Sequence, residues 1–188
     1  MHRQRLLELI EDYGRRHPEE GAVVTRFRTF ITQHERCFER DCWAGHITGS
    51  AWLVNERGSH VLLTHHRKLG RWLQLGGHSD GNPDTLAVAV QEAEEESGLP
   101  VGVLDPAIFD LDVHEIPPRK GDPAHYHYDV RFALVASHED FAVSGESLDL
   151  AWVPVDRFVG YSTEESVLRM ARKWRDGPPL GRRGSFSV

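Results

Sequence analysis

The chain has 188 residues, 39% of them hydrophobic, with 22 basic and 29 acidic side chains and a formal net charge of −7. That length supplies one domain with a substantial core, while the acidic balance argues against nonspecific nucleic-acid binding, which works through a basic surface. No apolar run approaches membrane-spanning length, no charged-then-apolar leader is read at the start, and two cysteines are too few for a disulfide framework.

Along the chain, Leu6, Leu7, Leu9, Ile10 and Tyr13 recur at helical spacing over 3–17, closed by Pro18. A second helix is predicted over 24–38, with Val24, Phe27, Phe30, Ile31 and Phe38 on its apolar side. Residues 1–42 thus read as a helical extension packed on a core of 43–176, able to cover a sheet edge, shape a pocket or form a homodimer contact. Cys37 and Cys42 read as ordinary thiols near a helix end, suited to a reducing cytoplasm. With His34 and His46 they match no familiar zinc spacing.

From Gly45 the pattern turns to strands, predicted over 46–54, 60–65 and 72–75. Between the second and third of these lies a basic stretch that contains Arg67, Lys68 and Arg71. After the central helix, β structure is expected over 101–115, 126–136 and 149–153, then a helix near 162–175. The segment from Gly177 to Val188, rich in Gly, Pro, Arg and Ser, reads as a mobile tail. Helices before, between and after a mixed set of strands predict an α/β/α sandwich.

The central helix carries the chemistry. In GHSDGNPDTLAVAVQEAEEESGL, Gly77 to Leu99, a glycine loop leads into a helix with Glu92, Glu95 and Glu96 at spacings i, i+3 and i+4. Side chains so spaced are neighbours on one helical face, and three carboxylates there repel one another. A hard divalent cation such as Mg²⁺ or Mn²⁺ resolves that repulsion and bridges to phosphate oxygens. Leu86, Ala89, Val90 and Ala93 form the stripe expected to dock on the sheet, and Gly98 supplies a left-handed stop. Pro83 suits a first helical turn capped by Asn82, with Asp84 and Thr85 as equally good caps.

A second constellation is His125-Tyr126-His127-Tyr128-Asp129-Val130-Arg131. Alternation in a strand puts His125, His127, Asp129 and Arg131 on one face, and Tyr126, Tyr128, Val130 and Phe132 on the buried one. The polar row is expected to line the cleft together with His78 and His114, in phosphate or base recognition or in holding a further metal. Histidines in such a place predict pH sensitivity between about 6 and 8.

The stretch Gly77–Leu99 resembles the signature of the Nudix hydrolases, which runs from a glycine through a Glu to Arg-Glu-aliphatic-x-Glu-Glu-x-Gly-aliphatic. Gly77, Glu92, Glu95, Glu96, Gly98 and Leu99 match without a gap, and Ala93 is a small version of the aliphatic position. Pro83 stands where the first Glu belongs and Gln91 where the Arg belongs. The resemblance spans roughly Trp43 to Trp174.

It implies a mixed sheet with the glutamate helix on one face, and hydrolysis of a nucleoside or other organic diphosphate linked to a further group. Glu92, Glu95 and Glu96, with the Gly77 backbone, would hold Mg²⁺ or Mn²⁺, and a helix glutamate or Glu146 would act as base. Arg67, His78, His125, His127, Asp129 and Arg131 are the substrate-binding candidates. Loss of the Arg and the first Glu leaves room for a noncatalytic nucleotide- or metabolite-binding module. His46 and His78 also resemble metal ligands of isopentenyl diphosphate isomerase, but that enzyme's reactive cysteine is replaced here by Gly76.

Overall fold

The computed structural model describes residues 2–66, 70–119, 121–142, 147–158 and 161–177. Arg67, Lys68 and Glu146, and the tail beyond Gly177, lie outside the described residues.

The chain opens with α1 (Gln4–Arg16), a short 3-10 turn (Pro18–Glu20) and α2 (Gly21–Gln33). Leu6, Ile10 and Tyr13 form the buried stripe of α1, and Val24, Phe27, Phe30 and Ile31 that of α2. The second helix stops before 38, because the backbone turns extended at His34. Cys37 and Phe38 are still buried, in the turn that follows.

The strands are β1 (His46–Val54), β2 (His60–His66), β3 (Arg71–Leu73), β4 (Leu75–His78), β5 (Val101–Val103), β6 (Asp110–Ile116), β7 (His125–Ala136) and β8 (Ser147–Pro154). The remaining helices are α3 (Thr85–Ser97) and α4 (Glu165–Asp176). What the sequence suggested as single runs at 72–75 and 101–115 are each two strands, broken at Gln74 and over 104–109.

The order β3-β2-β1-β7-β5 forms the spine of one sheet, with β4 paired to β1, β6 to β7 and β8 to β2. The β1–β7 pair is parallel and the other named pairs antiparallel, so the sheet is mixed. One face carries Ile47, Ala51, Leu53, Val130, Phe132 and Leu134 in a single core with α1, α2 and α3. The other carries Trp52, Val54, Ala133 and Val135 against Val167, Met170, Ala171 and Trp174 of α4. This is the α/β/α sandwich, with the N-terminal helices part of one layer.

Aromatic packing joins the extension to the sheet. Phe30 stacks on Tyr128 of β7 with ring centroids 3.9 Å apart, and Phe27 meets the same ring edge-on at 5.3 Å. Each such pair contributes about 0.5–1.5 kcal/mol beyond its buried area. Tyr126, expected on the buried face, is 40% exposed, and the Arg26 guanidinium lies over its ring.

On α3 the cap is Asp84, whose carboxylate accepts from the Ala87 amide at 3.2 Å, so Pro83 sits ahead of the helix and not in its first turn. Gly98 ends the helix at φ 69°. The fully docked residues are Val88, Ala89 and Ala93, with Leu86 and Val90 only half-buried. Val88 takes that place because Gly49 lets the helix approach β1: a Cβ there would lie 2.7 Å from the Thr85 carbonyl and 2.9 Å from Val88.

Candidate active site

Two glutamates of α3, Glu92 and Glu96, meet the backbone of β4. The Gly76 amide donates to Glu96 Oε1 at 3.0 Å. The Glu92 carboxylate lies so close to Gly77 that a Cβ there would fall 2.3 Å from its Cδ and displace it. Gln91 donates from Nε2 to Glu95 Oε1 at 2.8 Å. The amide does part of what an arginine would do here, without the charged fork. Glu92 and Glu96 are half-buried and Glu95 is exposed. The donors are all carboxylate oxygens, which match a hard divalent ion.

Parallel pairing of β1 with β7 sets His46 beside His127, Thr48 beside Asp129 and Ser50 beside Arg131. These residues form a polar layer on the α4 side of the sheet, but its two halves differ. Asp129 and Arg131 are 2% and 1% exposed and lie inside the fold, where the sequence pattern suggested a cleft wall. Asp129 accepts from Thr48, Ser50, Gln74 and Arg131 at 2.7–3.0 Å. Arg131 also reaches Asp110 at 3.0 Å and Asp112 at 3.3 Å. Arg169 and Lys173 of α4 close on Asp110 at 2.7 and 2.6 Å. Lys173 goes on to Tyr13 of α1 and to Glu20.

Burial alone would raise the Asp110 and Asp112 carboxyls. The hydrogen bond from Arg169 and the charges of Arg131, Lys173 and Arg169 hold Asp110 below the usual carboxylate range. The His114 hydrogen bond with Arg131 and Arg169 does the same for Asp112. Sequence reasoning missed Asp110, Asp112, Arg169 and Lys173. The available signal was two aspartates alternating on a strand and two basic residues at i, i+4 on the last helix.

The other half of the layer is built of histidines. His46 is 2% exposed and His125 9%. The ring of His46 lies 5.0 Å from His78, 4.8 Å from His125 and 4.7 Å from His127. His78 is 5.0 Å and His114 5.4 Å from His127. Burial first, and the neighbouring imidazoles second, push His46 down to about 4 and His127 down to about 2. Both are therefore neutral at physiological pH, and the response expected between about 6 and 8 does not come from them.

Strand alternation links the two groups, because Gly77 of β4 faces α3 while the next residue, His78, points to the histidines. Arg71, from the basic stretch, begins β3 and pairs with Glu164 at 2.7 Å. Cys37 is buried and Cys42 half-buried, both as free thiols, and His46 gathers with other histidines instead of with them.

The model of the NUDIX domain matches residues 46–173. The chain belongs to the NUDIX family. Solved structures with the same fold include a NUDIX-family hydrolase from Clostridium perfringens, 22% identical over 69% of this chain and 96% of that one, with a TM-score of 0.58. A MutT protein from Methanosarcina mazei Go1 is 18% identical over 70% and 94% of the two chains, at a TM-score of 0.51. The E. coli dihydroneopterin triphosphate pyrophosphohydrolase is 12% identical over 70% and 96%, also at 0.51. At these identities the likeness is one of fold. No curated protein matches the chain in sequence. Among the described residues, no helix of this NUDIX protein is long and apolar enough to cross a membrane.

Proposed function

We propose that this NUDIX protein is a divalent-metal-dependent hydrolase that cleaves the diphosphate linkage of a nucleoside diphosphate joined to a further group, or of a related organic diphosphate. Family membership supports pyrophosphohydrolysis in general. The observation that carries the reading is the seating of the Glu92, Glu95 and Glu96 carboxylates by the Gly76 amide, the bare Gly77 and Gln91.

Glu92, Glu95 and Glu96, with the backbone of Gly77, would hold Mg²⁺ or Mn²⁺. When bound, such an ion neutralises phosphoryl charge and lowers the pKa of a coordinated water. The chain supplies the rest. Gly76 and Gln91 fix the directions of Glu96 and Glu95, and a helix glutamate or Glu146 receives the proton of the attacking water. His78, with Arg67, is assigned to the substrate side as a hydrogen-bonding group. The buried Asp129 and Arg131 hold β7 in register and act on substrate only through that strand.

A screen of nucleoside diphosphate derivatives, dinucleoside polyphosphates and sugar diphosphates with Mg²⁺ or Mn²⁺ tests the reading. Phosphate, nucleoside monophosphate or sugar phosphate should be released and chelation should abolish it. Glu95→Gln and Glu96→Gln should each cut turnover by about 10²-fold or more while the protein stays folded. Binding of a nucleotide without turnover on any member would replace this reading with that of a noncatalytic module.

A further inference from the structure

We propose that His46, His125 and His127 form a second metal centre, separate from the glutamates, that takes one borderline transition ion of the Zn²⁺ class. One ring nitrogen from each of the three lies within 4.8 Å of the others, across the two neighbouring parallel strands β1 and β7. His46 is the deciding residue. It is almost completely buried, yet among the described residues neither Nδ1 nor Nε2 has a hydrogen-bond partner. An unsatisfied buried polar group is costly, and one imidazole carries at least one donor and one acceptor, so a second use for the ring is called for.

The surroundings favour the ligating form. His125 Nδ1 faces the Pro123 carbonyl at 2.9 Å, so Nδ1 carries the hydrogen and Nε2 is left with its lone pair. Orientation of a ligand histidine by its other nitrogen is the usual outer support of a metal site. A neutral imidazole is the species that binds a metal. Imidazole donors select Zn²⁺, Ni²⁺, Cu²⁺ or Fe²⁺ over Mg²⁺, whereas the carboxylates of α3 have the opposite preference. Three protein nitrogens leave a fourth tetrahedral position for water or an anion, the arrangement of an open zinc site. This inference does not rest on the hydrolase reading.

The test uses the full, tag-free chain, stripped with chelator and titrated with Zn²⁺ alone, then with Co²⁺ for its visible spectrum. One ion per chain should bind, and a Glu92→Gln/Glu95→Gln/Glu96→Gln variant should bind it equally well. Affinity should fall at least tenfold in His125→Ala and in His46→Ala. Should either alanine variant fail to fold, imidazole-ring NMR of the wild type identifies the ligands without substitution, and His46, His125 and His127 should be the rings that shift with Zn²⁺. Absence of a bound ion in the wild type, loss of the ion in the glutamine variant, full affinity in both folded histidine variants, or unmoved ring signals would each overturn the proposal.

Discussion

At the residue scale, the environment of Gly77 matters more than its flexibility. The Glu92 carboxylate occupies the space a methyl group would need, so Gly77→Ala must push Glu92 away from its neighbours. We expect metal-dependent turnover to fall more than tenfold in Gly77→Ala, with thermal unfolding nearly unchanged, as read by parallel kinetics and calorimetry. Gln91 gives a complementary case. Its single hydrogen bond to Glu95 is worth about 1 kcal/mol net. Gln91→Ala should therefore weaken Mg²⁺ binding several-fold, and Gln91→Arg should match or exceed the wild type because a charged fork replaces a neutral amide. Isothermal titration of the three proteins decides it, and equal affinity in Gln91→Ala would mean that Glu95 is placed by other contacts.

At the element scale, the unit that ties the layers together is ionic. Asp110 of β6 accepts from Arg131 of β7 and from Arg169 and Lys173 of α4, while Lys173 also reaches α1 through Tyr13. Removing one partner of a buried ion pair leaves uncompensated charge and costs about 3–5 kcal/mol. Asp110→Ala should lose that much in urea denaturation, far more than Arg5→Ala, whose bridge to Asp84 is exposed. Helix α3 depends on a smaller device: Asp84→Ala removes its side-chain cap and should cost about 1 kcal/mol.

For the whole molecule, the same network sets the acid limit. Asp110 and Asp112 have folded pKa values below those of the unfolded chain. On unfolding they therefore bind protons more readily, and stability is fully present above the ordinary carboxylate pKa of about 3.9 and lost as pH falls through the folded values. Denaturation midpoints measured downward from pH 5 should show a steep decline that is shallower in Asp112→Asn. A parallel decline in wild type and variant would remove Asp112 from the account. Arg131 and Asp129 belong to this stabilising lattice, and their substitution should lower stability and turnover together.

The sequence by itself determined most of the elements, though not all their breaks, and the glutamate face. Helical and strand periodicities located α1 and β1, and the i, i+3, i+4 spacing put three carboxylates on one side of α3, because these are local consequences of backbone geometry. What it left open depends on which strands become neighbours. Pairing β1 with β7 in parallel register turned a row that read as one wet face into two regions, a sealed ion network around Arg131 and a histidine cluster around His46. Strand alternation says only that residues share a face. Whether that face is covered depends on α4 and its Arg169 and Lys173, far along the chain. The same reason explains His46: its ring became a partner of His125 and His127 only through tertiary packing.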